Sequence, residues 1–200
     1  AKAAIERAEA DGRLRPGGTV VEYTAGTTGI SLALVCAAKG YALEIVFSDA
    51  FSNDKRRTMQ AFGAHITDVQ SDNKNINEKL IRTLMSTAAE ISLRPGHWYC
   101  DQLNNHDGIE GYLPLGDEIW EQTGGRVDGF VCSVGSGGTL AGVALALQPK
   151  GVKIGLADPE GAALYSYYTT GELRAEGSSI TEGIGQGRIT ANLEGIRPDM

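Results

Sequence analysis

The chain has 200 residues, of which 42% are hydrophobic and 22% charged, proportions typical of a globular protein with a substantial core. Its formal net charge of -7 and its isoelectric point near 5.0 disfavour a nucleic-acid-binding surface. The three cysteines are scattered, without a CxxC pair or a His/Cys cluster, which disfavours a zinc site or a disulfide framework and fits a reducing cytoplasm.

The first half of the chain alternates between short β-branched runs and stretches that carry apolar residues at helical spacing. In chain order, this pattern predicts four strands, at 19–23, 43–47, 64–69 and near Trp98. Helices are predicted before and between these strands, from residue 1 to an end at Gly12, at 29–39, from a cap at Ser52 to residue 62, and over 76–88. The basic cluster Lys55, Arg56 and Arg57 is predicted to form a solvent-exposed helix face.

The second half continues the alternation, with a helix over 117–122, a strand at 128–134, a helix at 139–147 and a strand at 152–157. The uncharged stretch 129–147 approaches the length of a membrane span, but its five glycines and central loop favour a buried strand and helix. Because hairpin signals are scarce, we predict an α/β protein with parallel sheets covered by helices on both faces. The irregular segment 101–112 is the predicted junction between two subdomains, 1–105 and 106–200.

Two loops rich in small residues follow predicted strands, and each leads into a helix. They cover residues 24–29 and 135–139. In parallel α/β sheets, ligands bind beyond the carboxyl ends of the strands. The start of a helix offers unpaired N–H groups to an anion, and glycine lets the backbone approach a phosphate closely. The alternative is that each loop is only a tight turn from strand to helix.

The spacing of the second loop leaves more than one phosphate compound open. Gly135 and Gly137 fit the start of the dinucleotide fingerprint G-x-G-x-x-G, but its last position is Leu140. Asp158 lies about where an acid that binds ribose would be expected. A nicotinamide cofactor therefore remains possible on spacing alone. A Walker loop is excluded, since the sequence contains no Gly-Lys-Ser/Thr.

Several segments carry a more specific signal when they are taken together. The segment TAGTTGISLALVCAAKGY resembles the substrate loop and helix of the cysteine synthase and cystathionine β-synthase family, and GSGGTLAG resembles the phosphate loop of that family. Further family counterparts are DQLNNHDGIEGYLPLGDEIWEQTGGRVDGFV, ADPEGAALYS and EGIGQG. The resemblance runs in the right order from residue 1 to about residue 187. These are pyridoxal-phosphate (PLP) enzymes of fold type II, the tryptophan synthase β-like class, with two three-layer subdomains.

The resemblance implies a role for each loop. The PLP phosphate would be bound by Gly135, Ser136, Gly137, Gly138 and Thr139. The cofactor cleft would also be lined by Gly183 and Gly185, and Thr27 would lie near the ring hydroxyl of PLP. The carboxylate of an amino-acid substrate would be bound by Thr24, Ala25, Gly26, Thr27, Thr28 and Gln102. No metal is implied.

The sequence also departs from the family pattern. Thr27 stands where the family usually has Asn, and Ala25 stands where it usually has Ser, which puts the usual specificity for O-acetylserine in question. Nothing matches the Ser-x-Lys-Asp-Arg motif that carries the Schiff-base lysine, and Lys2 is expected to face solvent. That lysine is expected upstream of Ala1, and the group that contacts the pyridine nitrogen after Met200. We therefore expect the chain to be the middle of a longer enzyme and inactive by itself.

The function that the resemblance implies is PLP-dependent β-replacement on an activated serine, such as the conversion of O-acetylserine and sulfide to cysteine. We expect a cytoplasmic homodimer that acts on a small amino acid and has no nucleic-acid or membrane partner. Two alternatives remain. One is an NAD(P)-binding oxidoreductase, and the other is a non-catalytic homologue that binds a partner through its acidic surface.

Overall fold

The structure, a computed structural model, describes residues 1–176 and 183–198. The chain divides into two compact units, Ala1–Gln102 and Leu103–Met200, which we call unit 1 and unit 2. In the described residues, every pair of neighbouring strands is parallel. The predicted α/β class with parallel sheets is therefore confirmed.

Unit 1 is described throughout and contains one parallel sheet with helices. Its elements are α1 (Lys2–Ala10), β1 (Thr19–Tyr23), α2 (Thr27–Lys39), β2 (Ala42–Ser48), α3 (Asn53–Ala61), β3 (His65–Val69), α4 (Glu78–Ser92) and β4 (His97–Tyr99). The strand order is β3-β2-β1-β4, so β1 is an interior strand. Thr19 lies beside Ala42 and Tyr23 beside Val46, which brings the carboxyl ends of β1 and β2 to one edge of the sheet.

The interior position of β1 and β2 in the sheet explains why most of their residues are apolar. A parallel strand covered on both faces buries successive side chains, whichever face they point to. Val20 and Val21 of β1 are fully buried, and so are Ile45 and Val46 of β2. Glu22 of β1 and Glu44 of β2 are acidic exceptions to this apolar pattern, and both side chains are nevertheless buried, that of Glu22 fully.

Unit 2 is built around a parallel strand pair and one apolar helix. Its elements are α5 (Asp107–Glu110), α6 (Leu113–Gln122), β5 (Gly129–Ser133), α7 (Gly138–Leu147), β6 (Lys153–Ala157) and α8 (Leu164–Thr170), with single 3-10 turns at Gln148–Lys150 and Ala191–Leu193. A helix that is apolar on every side is stable in water only when it is buried. Leu140, Val143 and Leu147 of α7 are accordingly almost inaccessible. The uncharged stretch 129–147 thus forms a strand and a helix, as predicted, but the expected burial of the strand was wrong, because β5 is partly exposed and Val131 has 65% of its surface accessible.

Some predicted boundaries were wrong. Helix α2 begins at Thr27, two residues before the predicted start, because Gly26 turns the chain with a φ of 136°. The segment 117–122 lies in a helix, as predicted, and that helix, α6, begins at Leu113. The short helices α5 and α8 were not predicted, because they have too few residues to show a periodic pattern. Ser52 precedes α3, but its side chain makes no capping hydrogen bond.

Among residues 1–176 and 183–198, no helix combines the length and the apolar character that crossing a bilayer requires.

Candidate active site

The first loop, residues 24–29, lies at the carboxyl end of β1, and we call it the substrate loop. Thr24 is buried, and its Oγ1 accepts the backbone N–H of Gly26 at 2.9 Å. Gly26 occupies the position before α2, so Thr27 and Thr28 form its first turn. The N–H groups of a first turn have no partner within the helix. The substrate loop therefore offers donors to an anion.

Gln102 lies beside the substrate loop although it is 74 residues further along the chain than Thr28. The Thr28 hydroxyl donates to Gln102 Oε1 at 2.6 Å, and Gln102 Nε2 donates to the Tyr23 carbonyl at 2.9 Å. Two residues that the family resemblance assigned to the same carboxylate are thus in direct contact. The Gln102 amide is fixed at both ends by the end of β1 and the start of α2.

The basic cluster on α3 differs from its predicted role as a solvent-exposed face. The aliphatic stem of Lys55 covers Gly26, so a Cβ at position 26 would come within 2.8 Å of Lys55 Cβ. Arg56 forms a bidentate ion pair with Asp68, in which Nη2 lies 2.6 Å from Oδ2. Of the three residues of the cluster, only Arg57 is exposed to solvent as predicted, with 78% of its side chain accessible. The first turn of α3 faces the substrate loop, which sequence spacing alone did not reveal.

Glu22 is a second residue of this region that was not identified from the sequence. Its Oε2 accepts the backbone N–H of Gln102 at 2.9 Å, and its Oε1 accepts that of Tyr23 at 3.0 Å. Burial raises the pKa of Glu22 to about 8, even though these N–H donors and the Cys100 thiol act in the opposite direction. The signal in the sequence was a single acid inside the β-branched run TVVEY, directly before the loop.

This buried acid predicts a dependence of stability on pH. Below its ordinary pKa of 4.5, Glu22 is protonated in both the folded and the unfolded chain. Between that pH and about 8, the unfolded chain has released the proton and the folded chain retains it. The free energy of unfolding should therefore fall as pH rises through this window, by at most about 1.4 kcal/mol per pH unit, and the contribution is gone above it.

The measurement is urea unfolding from pH 5 to pH 9 for the parent and for Glu22→Gln, which removes the titration. The difference between the two unfolding free energies should change with pH below about 8 and become constant above it. The Tyr99 phenol and the Cys100 thiol do not interfere, because burial raises the pKa of both further above their ordinary values. Asp101 contributes a nearby negative charge that raises the pKa of Glu22. Parallel curves over the whole range would contradict the prediction.

The second loop, residues 135–139, connects β5 to α7, and we call it the phosphate loop. Gly137 has a φ of 90°, and a Cβ on it would lie 2.8 Å from Leu193 Cγ and 3.1 Å from Thr190 Oγ1. A Cβ on Gly135 would collide with the carbonyl oxygen of Gly183. Two positions of the phosphate loop therefore admit only glycine, and the loop leads directly into the first turn of a ten-residue helix.

Two buried side chains from the end of unit 2 hold the phosphate loop. Thr190 Oγ1 donates to the carbonyl of Ser136 at 2.8 Å, and Asn192 Nδ2 donates to the same oxygen at 2.9 Å. Both residues are buried, with 2% and 3% of their surface exposed. They compensate a carbonyl dipole that would otherwise oppose an anion in the loop. They were not predicted, because they lie more than 50 residues away and match no motif.

The two predicted cleft glycines lie beside the phosphate loop. The N–H of Gly185 donates to the carbonyl of Val134 at 2.9 Å, and Gly183 is the residue whose carbonyl faces Gly135. Gly183 and Gly185 both have a positive φ, of 84° and 81°. Glu182, the first residue of the motif EGIGQG, lies outside the described residues.

The phosphate loop fits the phosphate of a cofactor such as PLP. It combines the first-turn N–H groups of α7 with the hydroxyls of Ser136 and Thr139, and the crowding at Gly137 excludes side chains from its backbone. Glycines and hydroxyls in this arrangement suit a dianion. Within the described residues, no group of three or more His, Cys, Asp or Glu side chains could hold a metal ion.

The Asp158 side chain makes a hydrogen bond within the protein that differs from the contact with ribose that a dinucleotide would require. Its Oδ2 accepts the backbone N–H of Tyr165 at 2.9 Å, in the first turn of α8. Burial raises the pKa of Asp158. Leu140, at the last position of the incomplete fingerprint, is buried in the core of unit 2. The ribose-binding interpretation of Asp158 is therefore not favoured.

The parallel sheets and the glycine loop that leads into α7 agree with fold type II of the PLP enzymes, and comparison with known proteins confirms that class. Residues 1–196 match the family described as pyridoxal-phosphate dependent enzyme, and the chain belongs to that family. Its cofactor is accordingly PLP.

Curated relatives include cysteine synthases. Cysteine synthase 1 of Emericella nidulans is 45% identical over 200 residues, which cover 95% of this chain and 52% of the relative. Cysteine synthase B of Escherichia coli is 37% identical over 164 residues, which cover 80% of this chain and 52% of the relative. The chain thus spans about half the length of these curated relatives.

Solved structures resemble the whole chain. The structure of an O-ureido-L-serine synthase has a TM-score of 0.83 at 28% sequence identity, and the match covers 99% of this chain and 60% of the synthase chain. The O-acetyl serine sulfhydrylase isoform 3 of Entamoeba histolytica has a TM-score of 0.83 at 32% identity, covering 98% of this chain and 56% of its own.

Proposed function

We propose that the whole protein catalyses PLP-dependent β-replacement on an activated serine, with O-acetylserine and sulfide giving cysteine as the first reaction to test. The observation that carries the proposal is the hydrogen bond between Thr28 and Gln102 beside the first turn of α2. This arrangement suits a carboxylate, because it combines helix N–H groups with a hydroxyl and an amide that are already oriented. Relatives named cysteine synthase, among them one that is 45% identical, support the same reaction.

The residues divide the work between the two loops. The phosphate loop, residues 135–139, would hold the PLP phosphate, and the substrate loop with Gln102 would hold the amino-acid carboxylate. When it is bound, PLP supplies an electron sink for reaction at the amino acid. The chain's own residues then contribute orientation, since Thr28 and Gln102 fix the carboxylate end of the substrate.

The test uses the whole protein, purified and incubated with PLP. We expect a visible absorbance band from bound PLP that shifts when O-acetylserine is added, and formation of cysteine when sulfide is present. Gln102→Leu should retain PLP and lose affinity for the amino acid. A colourless protein that takes up NADH instead of PLP would overturn the proposal, and so would PLP binding without reaction of any O-substituted serine.

We also propose that the whole protein acts as a homodimer in the cytoplasm. The proposal of a dimer is supported by exposed apolar side chains that a subunit interface would cover, among them Leu34 at 54% and Leu145 at 52% exposure. Sedimentation equilibrium of the whole protein tests the assembly, and a monomer at micromolar concentration would contradict it.

The departures at Thr27 and Ala25 should shape substrate preference. Thr27 is exposed and Ala25 half-buried, so larger side chains can be placed there without displacing the core. An added hydrogen bond to a charged group is worth about 1.5–3 kcal/mol. The double variant Thr27→Asn, Ala25→Ser should therefore shift preference about tenfold towards O-acetylserine over O-phosphoserine.

The measurement is kcat/KM for both substrates in the parent and in the double variant. Ser31→Ala is the matched control, because Ser31 Oγ donates to the Thr27 carbonyl at 3.2 Å and its loss alters the first turn of α2 without adding a loop contact. This control should leave the ratio of the two kcat/KM values unchanged. A change of less than about twofold in the double variant would mean that specificity is set outside the substrate loop.

A further inference from the structure

A chain of hydrogen bonds connects the interior of unit 1 with the substrate loop. It begins at Glu22, whose two oxygens accept the backbone N–H groups of Gln102 and Tyr23 at 2.9 and 3.0 Å. It continues through the Gln102 side chain, which donates to the Tyr23 carbonyl and accepts the Thr28 hydroxyl. Glu22 therefore joins β1 to the segment after β4 where both reach the substrate loop.

The backbone before Gln102 needs such a restraint. Asp101 has a φ of 48°, in the left-handed region that residues other than glycine seldom adopt. A conformation of this kind persists only where the surrounding contacts hold it. The bond from the Gln102 N–H to Glu22 fixes the residue that follows directly. Without it, the Gln102 backbone would be held less firmly, and the direction of the Gln102 side chain would depend more on its own hydrogen bonds to Tyr23 and Thr28.

The burial of Glu22 also indicates that its carboxyl group has a specific role. A carboxyl that is fully buried in an interior strand costs free energy that an apolar side chain would avoid. Val20 and Val21, its neighbours in β1, show that the strand otherwise uses apolar residues. An acid is required here only if two N–H donors must be held by one side chain, which is the contact observed.

We propose that Glu22 is a positioning residue for substrate binding, whose two oxygens fix the Gln102 backbone and so aim the Gln102 amide at Thr28 and at the carboxylate of the amino acid. The inference rests on the proposed function, because it assumes that Gln102 contacts the substrate. Glu22 itself acts through Gln102 and is not a catalytic residue.

The test is Glu22→Gln in the whole protein. An amide has one acceptor oxygen and one donor NH2, so one of the two backbone N–H groups would face another donor. We expect KM for the amino-acid substrate to rise about tenfold, equivalent to the loss of one hydrogen bond, while kcat stays within about threefold. The absorbance of bound PLP should be unchanged.

Glu44→Gln is the matched control. Glu44 is a buried acid of the neighbouring strand β2, and it accepts hydrogen bonds from Thr67 and Arg94 rather than from the substrate loop region. Its replacement should leave KM unchanged. A KM effect of equal size in both variants would show that any loss of a buried acid disturbs the site, and would overturn a specific role for Glu22.

A double-variant cycle separates positioning from general stabilisation. If Glu22 acts through Gln102, then Glu22→Gln should raise KM no further in a protein that already carries Gln102→Leu. Deuterium uptake of the peptide spanning residues 97–103 gives a readout independent of activity, and should increase in Glu22→Gln. Additive effects on KM, or unchanged deuterium uptake, would overturn the inference.

Failure of the inference can be distinguished from failure of the proposed function. If Gln102→Leu raises KM and Glu22→Gln does not, the proposed function stands and the role of Glu22 is wrong. If the whole protein binds no PLP, the proposed function fails, and with it the role of Glu22 in substrate binding. Should Glu22→Gln not fold, Glu22→Asp keeps the carboxyl group but shortens its reach to both N–H groups, and the same rise in KM is expected.

Discussion

Gly137→Val should deprive the protein of PLP while its secondary structure remains largely intact. The new Cβ would lie 2.8 Å from Leu193 Cγ and 3.1 Å from Thr190 Oγ1, and the backbone has a φ of 90° that a β-branched residue avoids. The phosphate loop must therefore move, and with it the N–H groups at the start of α7. Losing two hydrogen bonds to a charged phosphate should weaken PLP binding about 100-fold or more.

The measurement is PLP titration followed by absorbance, with circular dichroism to check the fold. Gly151→Val is a matched control, because Gly151 has a similar φ of 83° in the same unit and a Cβ there would meet nothing within 4 Å. Gly151→Val should lower stability and retain PLP. If Gly137→Val binds PLP as tightly as Gly151→Val does, residues 135–139 are not the phosphate site.

The contacts of Ser136 allow a milder version of the same experiment. Asn192→Leu keeps the approximate volume of the side chain but removes its hydrogen bond to the Ser136 carbonyl, and Thr190→Val does the same for the hydroxyl. Each should weaken PLP binding by less than Gly137→Val does, since the loop glycines are retained. Equal losses in all three variants would indicate that unit 2 unfolds rather than that the loop is displaced.

Local patterns were sufficient to predict the strands and most helices. The β-branched run at Thr19–Tyr23 and the uncharged helix at Gly138–Leu147 were both evident, because most of their residues are buried and burial favours apolar residues in sequence. The two glycine loops were also evident, since strand, loop and helix are adjacent in the chain. Short elements such as α5 contain about one turn and show no period.

The residues that hold the loops could not be predicted in the same way. Asn192 contacts Ser136 across 56 positions, and Glu22 contacts Gln102 across 80. Contacts of this length depend on how the chain returns to the same edge of a sheet, which local spacing does not encode. Lys55 was misinterpreted for the same reason, because its charge favoured solvent while its stem lies on Gly26. Family motifs identified Gln102 but not the groups that orient it.

Gly26→Ala should have the opposite effect on ligands from Gly137→Val, with PLP retained and the amino-acid substrate lost. Gly26 has a φ of 136° and a ψ of -48°, which an L-residue with a side chain does not adopt without strain. The added Cβ would also collide with the stem of Lys55. Since Gly26 sets the start of α2, the first-turn N–H groups and Thr28 should move, and kcat/KM should fall about 100-fold.

The two causes of this loss can be separated. Adding Lys55→Gly removes the whole Lys55 side chain, its Cβ included, and with it the collision, but leaves the unfavourable φ at position 26, so it should recover only part of the lost kcat/KM. Gly40→Ala is the matched control, because Gly40 has a φ of 78° at the other end of the same helix and a Cβ there would meet nothing within 4 Å. It should affect stability without affecting KM. If Gly26→Ala stays within about twofold of Gly40→Ala in kcat/KM, the substrate loop does not hold the carboxylate, because a displaced anion site at the start of α2 would cost far more than that difference.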